Sequence, residues 1–241
     1  MSKKYTETVC TGGVQPTGEF VRLYPIPFRF LPTEMRYKRW DIIEVDVYKS
    51  SKDPRPESWH LVPGSPIDVI EHVASERRRW EWMHPTVFES RQTMEEMELT
   101  NGCVQIEPLE FFHKTDDKEW SESQKAVIRQ GDLFATEDEM RAIGERVPYQ
   151  FRLRFREVST GIVDERKVLA WSYYTGYLRL HSSGKSKLDA LDVVTERVKA
   201  SIFNPKRAVY AIFGTHSRFG HWMISGLYHV PKSITEQRGL L

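Results

Sequence analysis

YQFRLRFREV, residues 149–158, decides the fold. Through residues 149–156 every second side chain is aromatic or aliphatic, and those between are Gln150 and three arginines. A period of two belongs to a half-buried strand, whose successive side chains leave on opposite faces. Phe151, Leu153 and Phe155 are therefore expected on a core, and Arg152, Arg154 and Arg156 on the face away from it. Side chains two apart on a strand are separated by about 6.6 Å, near the phosphate spacing of an extended single strand. Ser159, Thr160 and Gly161 supply turn chemistry, so residues 163–171 are the expected return arm of a hairpin. Two fates compete for the three arginines. One is contact with a nucleic-acid backbone. The other is a solvated face paired with Asp164 and Glu165 of the return arm.

Downstream of that hairpin, residues 171–180 are aromatic and of helical character, and Ser183-Gly184 breaks them. Ser186 followed by Asp189 is a capping signature for a helix over 187–203, with Leu188, Leu191, Val194, Val198 and Ile202 as its apolar face. Apolar runs at 208–214 and 222–230 read as two closing strands. Upstream, residues 113–146 are polar and acidic, with a helix-start pattern at Thr136-x-x-Glu139, and read as a connector or lid between modules. Gly102 to Ile106 reads as a strand closing an earlier, β-rich module.

That earlier module opens with a hairpin. Its arms are residues 6–11 and 19–24, and its turn holds Gly12, Gly13, Pro16 and Gly18. Pro25, Pro27 and Pro32 then fix φ and remove backbone donors, so that run is neither helix nor central strand. IIEVDVY at 42–48 alternates as one half-buried strand, and residues 67–73 form a short strand or helix. A helix over 74–84, capped by Ser75, carries Arg77, Arg78, Arg79, Trp80 and Trp82. Residues 91–100 form a second short helix.

RLYPIPFRFL at 22–31, RYKRWDIIEV at 36–45, DPRPESW at 53–59 and FGTHSRFGHWMISGLYHVPK at 213–232 resemble an uncharacterised family of bacterial proteins associated with mobile elements and phage-defence neighbourhoods. The resemblance spans both ends of the chain. It implies context and no mechanism. Relatives carry Asp-Trp-Glu where this chain has Ala170-Trp171-Ser172, which implies that acid chemistry resting on those carboxylates is missing here.

The 241 residues, 39% hydrophobic and 29% charged, suit one large or two small globular domains. The formal charge is +1, unevenly spread. Residues 145–241 hold 16 Lys/Arg against 8 Asp/Glu, residues 89–144 hold 6 against 14, and residues 1–88 hold 13 against 12. The basic C-terminal part favours polyanions and the acidic middle does not, unless the two offset each other. No apolar run approaches the roughly 20 residues of a membrane span. The opening MSKKYTET lacks a signal peptide's apolar core, and Cys10 and Cys103 make neither a disulfide framework nor a four-ligand zinc site. A reducing cytoplasm is the expected location.

Four groups of residues are candidates for chemistry. The first is the Arg152, Arg154, Arg156 face. The second is Arg22, Arg29, Arg55 and Glu57 in proline-stiffened segments, an ion network that fixes loops or an anion pocket. The third is Arg77 to Arg79 with Trp80 and Trp82, although consecutive arginines fan around a helix. The fourth is His216, His221 and His229 with Thr215, Ser217 and Arg218: ordinary surface histidines, an anion site at residues 215–218, or a metal site that lacks a third ligand. No Walker loop, dinucleotide fingerprint, HExxH or GxSxG occurs. Glu165-Arg166-Lys167 matches the ExK of restriction-type nucleases, but Asp164 is adjacent where such sites need an upstream acid. Neither cysteine has an identifiable partner histidine.

The expected architecture is α+β: a β-rich, barrel-like N-terminal module over residues 1–112, an acidic connector over 113–146, and a basic module over 147–241 with an antiparallel sheet backed by a helix. The expected function is that of a non-catalytic nucleic-acid-binding or adaptor subunit of a bacterial defence or mobile-element system. The expected binding residues are Arg152, Arg154, Arg156, Arg22, Arg29, Arg55, Arg218 and His216, with Tyr173, Tyr174 or Tyr177 as stacking aromatics. No cofactor or metal is called for, nucleic acid and protein partners are, and a membrane is not. The alternatives are a metal-dependent nuclease at Asp164, Glu165 and Lys167, and a protein–protein scaffold docking through the acidic 89–144 segment.

Overall fold

The computed structural model describes residues 9–26, 28, 31–49, 51, 53, 55–116, 148–215 and 220–236. Of these, the residues up to Arg79 form one compact unit and those from Trp80 onward a second. Both units mix strands with helices or turns, so the chain is α+β.

The first unit starts from a hairpin, as expected, but Gly12 and Gly13 stand in its first arm and not in its turn, and its second arm, an inner strand, continues through Pro25 to Ile26. Strand β1 (Val9–Val14) pairs antiparallel with β2 (Phe20–Ile26) around Gly18, whose φ of 86° suits glycine. The 42–48 run differs from expectation. It divides at Asp46 into β3 (Asp41–Val45) and β4 (Val47–Tyr48), which join different partners. The Asp46 carbonyl accepts from the Val62 N–H at 3.0 Å. β4 pairs antiparallel with β5 (Ser58–Leu61), and β5 runs parallel to β2. β3 pairs antiparallel with β6 (Ile67–His72) as a two-stranded ribbon. The sheet order β1-β2-β5-β4 is open, and no closed barrel forms among the described residues, because the divergence at Asp46 sends β3 elsewhere. Leu23, Ile26, Leu31 and Ile67 make the buried core.

Helix α1 (Glu76–Met83) carries the chain into the second unit. There follow β7 (Val87–Phe88), α2 (Arg91–Glu96), β8 (Asn101–Thr115), β9 (Tyr149–Glu157), β10 (Val163–Lys167), α3 (Trp171–Ser182), α4 (Lys187–Ile202), β11 (Arg207–Thr215), β12 (Trp222–Pro231) and α5 (Lys232–Thr235). The sheet order is β10-β9-β8-β11-β12, with β7 parallel to β8. The strand at 102–106, expected to close the first module, is the start of 15-residue β8, central to this second sheet. Its first half pairs with β11 and its second with β9, across a register shift between Pro108 and Glu110. A Cβ on Gly102 would come within 3 Å of Met94 and Phe88, so the strand needs glycine to pass them.

One face of this sheet is apolar, as the alternation of β9 dictates. Phe151, Leu153 and Phe155 are fully buried with Phe111, Phe213 and Ile224 beneath α3 and α4. Each such side chain contributes about 1.5–3 kcal/mol by leaving water. Ser186 caps α4, its hydroxyl accepting from the Asp189 N–H at 3.1 Å. Leu191, Val194, Val198 and Ile202 are buried as expected, but Leu188, in the first turn, is 63% exposed.

Candidate functional site

β9 presents Arg152, Arg154 and Arg156 on the face opposite the helices. The register sets Arg152 across from Phe112 on β8 and Lys167 on β10, Arg154 across from Glu110 and Glu165, and Arg156 across from Glu107 and Val163. Lys114, two residues after Phe112, shares this face. Carboxylates hold two of the three guanidiniums. Arg152 Nε donates to Glu165, which also draws Lys114 Nζ to 3.6 Å. Arg156 Nη1 donates to Glu107. The hydrogen bond from Arg152 above all, together with Lys114, holds the Glu165 carboxyl below the usual carboxylate range. Arg154 is exposed and forms no ion pair with any described residue.

The aromatics expected to stack beside the arginines lie elsewhere. Tyr177 is buried, and Tyr173 and Tyr174 pack their rings against Phe151 at 6.0 and 5.3 Å. All three belong to α3 and the apolar face, so the sheet itself separates them from the arginine row. Beside the arginines on their own face stands half-buried Phe112, with Lys114 Nζ 5.3 Å from its ring centre. Two adjacent phenylalanines at 111 and 112 obscure which faces outward, and the register with β9 settles it: Phe111 stacks on Phe151.

The ExK segment does not converge. Glu165 lies on the arginine face, whereas Asp164 turns to the helix side and accepts from Arg91 at 2.6 Å and from Arg166 at 2.8 Å. Burial works to raise the Asp164 carboxyl, but these hydrogen bonds outweigh it and hold the group low. Arg91 also donates to Glu157, a carboxylate that is almost fully buried. Among the described residues no three His, Cys, Asp or Glu side chains gather as a metal site. Cys103 is buried, which pushes its thiol up to about 12.

In the first unit, Arg22 and Arg55 are ion-paired, with Glu57 at 3.1 Å and Asp53 at 2.6 Å. Burial would raise Asp53, but Arg55 overcomes it and draws the carboxyl down to about 2. Lys49 Nζ reaches the carbonyls of Pro56 and Ser58 and lies 3.8 Å from the Trp59 ring centre. Both arginines are thus held by carboxylates of the 53–57 loop. Arg78 binds Glu71 through both guanidinium nitrogens, and Arg79 donates to the Val73 carbonyl, so those arginines fan apart. Arg29, His216 and Arg218 lie outside the described residues, as does most of the acidic connector.

Residues 1–88 match the model of a domain of unknown function (DUF8758), and residues 85–241 match that of another (DUF8757). No curated protein and no solved structure matches the chain. The expected membership of an uncharacterised family is met in that form. The match over residues 85–241 takes in the whole β8–β12 sheet and covers more than half of the sequence, and by it the chain belongs to the DUF8757 family.

Proposed function

We propose that this protein is a non-catalytic nucleic-acid-binding adaptor, and that the exposed face of β8, β9 and β10 meets the phosphate backbone. The observation that carries it is the guanidinium row. Arg152, Arg154 and Arg156 stand at strand spacing on one face, Lys114 and Lys167 flank them, and Arg154 is exposed and forms no ion pair with a described residue. Glu165 and Glu107 hold the outer two guanidiniums, which a phosphate would have to draw away from them. The resemblance of residues 22–31, 36–45, 53–59 and 213–232 supports a role within a bacterial defence or mobile-element system. Glu107, Glu110 and Glu165 on the same face favour a second function, a protein scaffold whose partner carries complementary charge.

One set of assays tests this. The protein is mixed with labelled single- and double-stranded DNA and RNA, with and without magnesium or manganese, across a salt series. Binding without cleavage is expected. Affinity should fall steeply with salt, by about 0.7 in log–log slope for each single-strand phosphate contact. Replacing Arg152, Arg154 and Arg156 by glutamine should flatten the slope and leave the fold intact, since the core face is unchanged. An unaltered slope in the triple variant would sink the proposal. Cleavage lost in Glu165→Ala would establish a nuclease, and no binding at all would leave the scaffold. Recovery of the protein with its partners from the native host tests the defence assignment.

A further inference from the structure

Phe112 occupies a place on the arginine face that the binding function above does not use. It stands directly across from Arg152 in the β8–β9 ladder, and its ring is half-buried with Lys114 Nζ 5.3 Å from the ring centre. Its neighbour Phe111 is fully buried in the core. Phe112 therefore does not face that core: it stands on the polar side of the sheet, across from Arg152 and beside Lys114, both of which are paired with Glu165. An aromatic beside cations on a sheet face has a specific chemical use. A base stacks on the ring while the phosphates on either side meet the cations, and this requires a base free of its complement. In a duplex the faces of the bases are covered by their neighbours, and the ring has nothing to stack on.

Resting on the binding function proposed above, we infer that the ligand of this face is single-stranded nucleic acid and that Phe112 is its stacking platform. The strand runs along β9, with phosphates at the Arg152 and Arg154 guanidiniums. Because any base offers a π-face, recognition is tolerant of sequence and selective for strandedness. Stacking is insensitive to salt, whereas the arginine contacts are not, so the two contributions separate experimentally.

The test uses fluorescein-labelled oligothymidylate, oligouridylate and a DNA duplex as probes for the full chain. Both single strands should bind more tightly than the duplex, and comparison of the two shows whether DNA or RNA is preferred. Phe112→Ala should weaken single-strand binding about tenfold or more, leave duplex binding unchanged and keep the salt slope of the unaltered protein. Arg154→Gln should instead lower the slope by about 0.7. Phe112→Trp should retain affinity, and its added indole fluorescence should be quenched by oligothymidylate beyond the change seen in the unaltered protein. This second variant serves if Phe112→Ala fails to fold. Binding that depends on Arg154 but ignores Phe112, or that favours the duplex, overturns this inference and leaves the proposed function standing. The absence of any binding overturns both.

Discussion

Asp164 and Glu165 are consecutive in β10, and their carboxylates serve opposite faces of the sheet: Asp164 accepts from Arg91 on the helix side, and Glu165 accepts from Arg152 on the solvent side. The pair thus divides two tasks. Asp164 completes a buried network with Arg91 and Glu157, while Glu165 orders an exposed guanidinium.

The buried network makes Arg91 a stability determinant. Arg91→Ala leaves Glu157, whose side chain is 2% exposed, without its cation. A loss of about 3–5 kcal/mol is expected, read from urea unfolding monitored by circular dichroism. Adding Glu157→Gln to Arg91→Ala should recover part of the loss, because a neutral amide is cheaper to bury than a carboxylate. Equal stability of Arg91→Ala and the unaltered protein would show that the network is solvated.

On the exposed face, Glu107 and Glu165 compete with any anion for Arg156 and Arg152. Replacing both glutamates by glutamine should raise affinity for single strands by up to about fivefold for each pair released, since exposed pairs contribute up to about 1 kcal/mol. The salt slope should steepen at the same time. Weaker binding by this double variant would mean that the carboxylates contact the ligand themselves.

Acid should loosen the braced loop of the first unit. The Asp53 carboxyl titrates at about 2 in the folded chain, below its ordinary value of 3.8. A depressed carboxyl contributes stability that is fully present above about pH 4 and is lost as the pH falls through about 2. Thermal midpoints recorded from pH 5 downward should therefore decline, and Asp53→Asn should remove part of the decline below about pH 4. A variant with the unaltered pH profile would show that Arg55 does not hold Asp53 in solution.

What local chemistry dictates was legible in the chain. The alternation of 149–156 gives both faces of β9, Ser186 and Asp189 give the start of α4, and the turn residues around Gly18 give the first hairpin. Glu165 as a partner of Arg152 was also within reach, because its strand follows after a five-residue connection. What distance along the chain conceals was not. Nothing in IIEVDVY announces a change of partner at Asp46, since both halves alternate alike. The tyrosines of α3 carry no mark of which face of the sheet they will cover. Glu107, Phe112 and Lys114 enter the candidate site through a register between β8 and β9, whose paired residues lie from 34 positions apart at Thr115–Tyr149 upward.

The length of β8 sets a timetable for biosynthesis. Its first half, with Cys103, Val104 and Ile106 fully buried in the finished sheet, finds its partner in β11, roughly a hundred residues further along. At ordinary elongation rates of about 5–20 residues per second, that segment leaves the ribosome some 5–20 s before the strand that covers it. Throughout that interval the nascent chain displays an apolar strand with an unpaired edge, the form of backbone most prone to pairing with the wrong neighbour. Chains interrupted before Arg207 keep that edge indefinitely, so fragments ending there should precipitate or be retained by chaperones, whereas the full sequence closes over them.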